Sequence, residues 1–272
     1  MKNTLLLAWI GIGSLCVTCT SQNNTSTVND GMGNEILVAH YQEIKDTVLI
    51  NLSDLVENYE LIRFEDNDSA LLGFQVMPTI TEHYIGMSQS QRRGLPYMLF
   101  DRQGNFICNV GNFGQGPGEY AWPIYDAAIS EQNGEVYLTQ FAFAPKVLVY
   151  NLQGKLMREI EVGYPLAKPK IEIDNDGMYI IQTPMPSQES LNLAIQMDGN
   201  GNITKTLKAE ERFLMKDFNG DLFAYHNVPE FSFNITSCDT LFHYDKTENR
   251  VVPKYTLDFG EMEEKPVHIY NE

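Results

Sequence analysis

The chain has 272 residues, 36 of them acidic against 19 basic, and a formal net charge of −17 at pH 7. This balance excludes a nucleic-acid partner, because phosphate binding draws on clustered Lys and Arg. An acidic surface of this kind keeps an extracytoplasmic protein soluble, and the length suffices for one or two domains.

The N-terminus reads as a targeting segment. Lys2 supplies the positive start, and residues 5–17 form an apolar stretch too short to span a bilayer comfortably. Two cysteines, Cys16 and Cys19, close it. Acylation of a bacterial lipoprotein needs small residues just before the modified cysteine, and the bulky Leu15 precedes Cys16. Residues 1–19 are therefore read as a lipoprotein signal with lipidation at Cys19; acylation at Cys16 and an ordinary cleaved signal peptide are the competing readings. Residues 20–35 are rich in Ser, Thr, Asn and Gly, bury too little apolar surface to fold, and read as a flexible tether.

A domain over 36–272 follows. Strands are predicted at 36–38, 47–52 and 59–64, with one helical turn over 53–57 capped at Ser53. From about residue 70 a repeat takes over. An apolar strand, an Asp or Asn, two residues, a Gly and another strand recur at Asp101 to Gly104, Asn151 to Gly154 and Asp198 to Gly201. A fourth copy at Asp245 carries Glu248 in place of the glycine, and the Asp/Asn positions lie 50, 47 and 47 residues apart. A second series, Gly134, Gly177 and Gly220, is spaced by 43 residues, and each member precedes a short β-rich run. Two turn signals in a period of about 45 residues describe roughly four strands per unit, the signature of a propeller blade. The units run over about 70–120, 121–165, 166–210 and 211–260. The Asp/Asn-x-x-Gly turns are structural: the side chain accepts loop N–H groups, while Gly takes the positive φ that closes a hairpin.

The sharpest local motif is 111–120, containing Gly114, Gly116, Pro117, Gly118, Glu119 and Tyr120. A phosphate-binding loop would have to open a helix and end on Lys-Ser/Thr. Here Trp122-Pro123 and a β-rich run follow, so the motif is read as a structural blade-to-blade crossover. Of the five histidines, His40, His83, His226, His243 and His268, none lies within metal-ligand spacing of another. No Gly-x-Ser-x-Gly elbow marks a hydrolase nucleophile. No catalytic residue and no metal ligand are therefore named, and no cofactor is expected. Cys108 and Cys238 fall in different units and read as two buried free thiols.

Residues 114–120, then Asn133-Gly134 with the run to Leu138, then 146–151 with Gly154, resemble one NHL-type propeller repeat. The chain from its signal through 52–55 and 59–65 to the Gly-Pro-Gly-Glu-Tyr loop resembles the six-bladed β-propeller lipoproteins of Bacteroidetes, in the broad TolB-like class. The resemblance implies an all-β, six-bladed type of β-propeller. About four blades are recognisable, and six at about 45 residues each need about 270 residues after the leader; a propeller incomplete at the C-terminus is the expectation. The resemblance also implies a lipid-anchored protein of a Gram-negative cell envelope, facing the periplasm, monomeric, and touching the membrane through its anchor alone. A binding module for a protein or glycan is the expected function, with Trp122, Tyr125, Tyr137 or Phe141 stacking on sugar if a glycan is bound. The alternative is a Ca²⁺-dependent, lactonase-like hydrolase or lyase, for which no ligand set can be matched to residues of this chain. Asp-Ser/Thr-apolar triplets at Thr47, Ser69 and Thr240 resemble the O-glycosylation acceptor pattern of such envelope proteins.

Overall fold

The computed structural model describes residues 25–30, 33–44, 49–65, 67–73, 76–89, 94–141, 144–215, 221–226, 230–236 and 238–260. Cys19, Thr47 and Gly220 lie outside them. Two strands come first, β1 (Thr25–Asn29) and β2 (Glu35–His40), followed by one helical turn, α1 (Leu52–Leu55). Four four-stranded antiparallel units follow. Blade 1 holds β3 (Met77–Ile80), β4 (Tyr84–Ser88), β5 (Tyr97–Asp101) and β6 (Phe106–Val110). The crossover contributes β7 (Asn112–Phe113) and β8 (Glu119–Tyr120). Blade 2 holds β9 (Ile124–Ser130), β10 (Glu135–Gln140), β11 (Lys146–Asn151) and β12 (Leu156–Glu161). Blade 3 holds β13 (Lys170–Ile173), β14 (Met178–Ile181), β15 (Asn192–Met197) and β16 (Ile203–Lys208). Blade 4 holds β17 (Leu222–Tyr225), β18 (Phe231–Ile235), β19 (Thr240–Asp245) and β20 (Arg250–Asp258). The fold is an all-β propeller arrangement. In every blade the strands pair in sequence order, and the first strand, innermost in each sheet, packs on that of the next blade along the series β3–β9–β13–β17.

Blades form because each sheet is apolar on both faces and must bury them between neighbours. Tyr97, Leu99 and Val110 of blade 1 share a core with Val136, Leu138, Leu148 and Tyr150 of blade 2. Val147, Val149 and Ile160 of blade 2 meet Ile171, Ile180 and Ile195 of blade 3. Ile181, Leu193 and Ala194 of blade 3 meet Phe231, Phe233 and Phe242 of blade 4. Burial of these side chains, at about 25 cal/mol per Å² of apolar surface, is the main force joining the blades.

The repeated turns behave as read. Asp101 Oδ1 accepts the N–H groups of Gln103 and Asn105, each at 2.9 Å, and Gly104 has φ +87°. Asn151 Oδ1 takes Gln153 and Lys155 at 3.1 and 2.9 Å with Gly154 at φ +78°; Asp198 Oδ1 takes Asn200 and Asn202 at 2.9 Å with Gly201 at +85°. In the degenerate fourth copy Asp245 Oδ1 accepts from Thr247 and Glu248, and the positive φ moves one residue on, to Asn249 at +52°. Asn tolerates the left-handed region better than most side chains, which is how that turn closes without its glycine.

The N-terminal part departs from expectation. Residues 59–64 form no strand; Ile62 and Phe64 instead cover the outward face of blade 1 with Ala70, Leu72 and Val76, their β-rich composition serving burial rather than pairing. Of 47–52, the described Leu49–Asn51 stretch is irregular and Leu52 enters α1. The turn is capped by Asn51 in a capping box with Asp54, two residues before the predicted Ser53. Within the span read as a tether, Thr25–Asn29 pairs with β2, and β2 in turn adds to β20 in parallel, extending blade 4 to six strands. Main-chain pairing across long sequence separation recruits this polar strand, and no local composition reveals it. His40 Nδ1 lies 3.0 Å from Asp258 Oδ2 and the rings of Tyr41 and Phe259 are 5.3 Å apart, tying the same junction. Cys108 is a free thiol, as read, and both Cys108 and Cys238 are half-buried rather than buried; desolvation pushes the Cys108 thiol up to about 11.

Candidate functional site

The crossover motif positions the start of blade 2. Gly111 and Gly118 take φ +67° and +78°, and Glu119 Oε2 accepts the Gly116 N–H at 2.8 Å, closing the loop on itself. A Cβ on Gly114 would fall 2.0 Å from that carboxylate. Tyr120 is buried; its hydroxyl accepts the Tyr97 N–H at 2.8 Å and donates to the Val110 carbonyl at 3.4 Å. Glu119 and Tyr120 thus fasten blade 1 to the entry of blade 2. Pro117 stiffens the approach. The bonds these residues make are those of a scaffold.

Beyond the crossover, the inner strands bring together residues far apart in sequence. Tyr125 and Asp126 begin β9, Lys170 begins β13 with Lys168 just before it, and Asp221 precedes β17. Asp126 is buried: its Oδ2 accepts the Ile171 N–H of blade 3 at 2.8 Å and stands 3.5 Å from His226 Nε2 of blade 4. Its Oδ1 is 3.8 Å from Lys170 Nζ. Lys168 Nζ donates to Asp221 Oδ1 at 2.8 Å, and the Tyr125 hydroxyl reaches the same oxygen at 3.2 Å. Lys168 holds φ +50° although it is no glycine, a strained conformation of the kind that gathers at functional sites. Lys170 lies over the Tyr125 ring, 4.4 Å from its centroid, and the Phe141 ring centroid is 5.7 Å from that of Tyr125. Trp122, on the loop entering β9, is 42% exposed.

The electrostatics are compensated pair by pair. Burial pulls the His226 imidazole down, but the hydrogen bond and charge of Asp126 outweigh it, so the group titrates above its ordinary value. Burial and the Asp221 charge push the Tyr125 phenol far up, and it stays protonated. Among the described residues no group of three His, Cys, Asp or Glu is placed to hold a metal ion.

Of the four aromatic residues read as sugar-stacking candidates, Tyr125 and Phe141 lie at this group, and Trp122 stands three residues before Tyr125 on the loop entering β9. Tyr137 is buried in the core between blades 2 and 3. The charged members Asp126, Lys168, Lys170, Asp221 and His226 escape sequence reading. Their signal is position: Asp126, Lys170 and Asp221 stand at the start of the first strand of three successive units, 44 and 51 residues apart. Of the acceptor triplets, Ser69 lies on an exposed turn held by Asn67, whose Oδ1 accepts the Ser69 N–H at 2.8 Å, whereas the Thr240 hydroxyl is engaged with that of Thr256 at 3.1 Å.

Among the described residues there are further concavities, of which the two largest lie away from this group. A polar groove of about 470 Å³ between blades 2 and 3 is lined by Asp174, Asp176 and Asp198 and crossed by the Arg158–Glu135 ion pair. An apolar one of about 330 Å³ lies on blade 4, between Leu37, Leu241, Tyr255 and Leu257.

A family model described as a domain of unknown function, DUF4934, matches residues 36–272, and the chain belongs to that family. No curated protein matches it. A crystal structure of a Bacteroides fragilis protein described as exported superposes with a TM-score of 0.62 at 15% identity, covering 82% of this chain and 60% of that one. The extracellular domain of a one-component system from B. thetaiotaomicron gives a TM-score of 0.40 at 12% identity, covering 70% and 23%. The WD40 repeats of RRP9 give 0.43 at 11%, covering 68% and 53%. The chain thus spans less than two thirds of the length of each of these structures.

Proposed function

We propose that this DUF4934 protein is a lipid-anchored, extracytoplasmic binding module that presents the axial ends of its inner strands to a protein or glycan partner. The carrying observation is the state of the two axial carboxylates. Asp126 anchors the Ile171 N–H and faces Lys170 and His226, while Asp221 is bonded to Lys168. A calcium-dependent hydrolase needs several free oxygen ligands converging on one point; the engagement of Asp126 and Asp221 by lysine and histidine side chains is what favours the binding-module reading over it. The fold likeness to an exported Bacteroides protein and the leader ending at Cys19 support an envelope location. Ser69, on its open turn, is the position at which we propose O-glycosylation.

Thermal unfolding of residues 20–272 with and without Ca²⁺ tests the reading. A binding module of this kind unfolds cooperatively at one temperature in both. A midpoint that climbs with Ca²⁺ concentration marks preferential binding to the folded state and returns the lactonase-like alternative to first place.

A further inference from the structure

Lys170 is only 4% exposed, yet among the described residues no oxygen lies within hydrogen-bonding distance of its Nζ. The nearest carboxylate oxygen, on Asp126, is 3.8 Å away, and the Tyr125 ring supplies a cation–π contact but no acceptor. The ammonium nitrogen itself is not sealed from solvent, so water serves its N–H donors in the free protein and a ligand with acceptor groups can take that water's place. Across the same group the Asp221 side chain is 46% exposed, and both of its side-chain bonds, from Lys168 and Tyr125, go to Oδ1. Its Oδ2 is an open acceptor.

A water-served donor and an open acceptor on neighbouring inner strands suit a ligand whose groups both give and take hydrogen bonds, which is the chemistry of sugar hydroxyls. The half-exposed Trp122 indole and the Tyr125–Phe141 pair add apolar faces for pyranose rings. Charge decides between sugar classes. Lys168 and Lys170 are balanced by Asp126 and Asp221, and the chain as a whole carries −17, a field that repels polyanions. Resting on the reading above that the axial end is a binding surface, we infer that it takes a neutral oligosaccharide, with Lys170 donating to one hydroxyl and Asp221 accepting from another.

The test is titration calorimetry of residues 20–272 with neutral gluco-, xylo- and manno-oligosaccharides, and with oligogalacturonate and a sulfated oligosaccharide as anionic counterparts. The expected result is binding of at least one neutral sugar that is unchanged between 50 and 500 mM salt, where the screening length falls from ~14 to ~4 Å. Lys170→Met keeps the stem on Tyr125 and removes the donors, and should weaken binding about ten- to hundredfold. Trp122→Ala should weaken it about tenfold, with the thermal midpoint of the variant checked against wild type. Wild-type affinity in a folded Lys170→Met protein overturns the inference, as does preference for the anionic sugars with affinity falling in salt. A chain that ignores all sugars but holds a protein partner through the axial end overturns the sugar assignment and leaves the module reading standing. A chain that binds neither takes both down.

Discussion

The outer hairpin turns and the axial group are built from the same residue types and behave in opposite ways. At Asp101, Asn151 and Asp198 the polar side chain closes on N–H groups two and four residues ahead, so each turn satisfies itself within five residues. At the axis, Asp126 and Asp221 accept hydrogen bonds from residues 45 and 53 positions away or more, on other blades, and Lys170 meets Asp126 only at 3.8 Å, beyond hydrogen-bond reach. Self-contained turns fix register and carry no surplus. The axial group joins blades and keeps hydrogen-bonding capacity open to water, and that difference marks it as the place where a ligand can gain.

The comparison breaks most visibly where a turn is wedged against a neighbouring strand. A Cβ on Gly154 would lie 2.0 Å from the Asn109 carbonyl oxygen, at φ +78°. Gly154→Ala should therefore cost about 3 kcal/mol or more, seen as a lowered denaturant midpoint; Gly118→Ala has the same φ but meets only the Leu156 side chain at 3.4 Å, and should cost about 1–2 kcal/mol. An equal loss in both would show that the close approach is not what makes Gly154 necessary.

Next comes the crossover. Tyr120→Phe leaves the buried Tyr97 N–H without its acceptor and should destabilise by about 1–3 kcal/mol in equilibrium unfolding. A loss under about 0.5 kcal/mol would mean that the N–H finds water and that the hydroxyl is no fastener between blades.

pH separates the two regions more gently. The His226 imidazole is raised in the folded state, so its contribution is complete below its ordinary value of 6.5 and is lost as pH climbs through the folded value. Unfolding free energy should fall over that window, and His226→Gln should flatten the fall. The groups facing it are Asp126, Lys170 and Glu172. Asp101 and Asp198 act on the acid side: side-chain bonds from Asn105 and Asn202 hold their carboxyls below the ordinary value, so their contribution is present above 3.8 and disappears as pH falls through the folded value. A pH profile unchanged by His226→Gln would remove the histidine from the inter-blade contact.

The smallest effect belongs to Asp198→Asn. Asn151 already performs the same turn with an amide, so the substitution should leave the denaturant midpoint at neutral pH nearly unchanged, while acid sensitivity from that turn vanishes.

The blade rhythm was legible because it is local. A turn that needs Asx at one position and Gly three later writes itself into the sequence at each repeat, and apolar strands between such turns leave four strands per unit as the economical reading. The crossover was legible for the same reason, since Gly111, Gly118 and Glu119 answer to their immediate neighbours. Residues 59–64 misled because β-rich composition reports burial as well as pairing, and Ile62 and Phe64 are buried on blade 1 without a strand partner. Thr25–Asn29 misled in the other direction, since a polar segment became an edge strand through main-chain bonds alone. By itself, then, the sequence determined the repeat, its turns and the all-β propeller class, each set by contacts within a few residues. Only the tertiary structure decided that Tyr125, Asp126, Lys168, Lys170, Asp221 and His226 form one group, and that Lys170 is the member whose nearest carboxylate lies beyond hydrogen-bond reach. Those facts depend on how successive blades stack about a common axis, and hydrogen bonds spanning 45 residues or more leave no spacing rule in the chain.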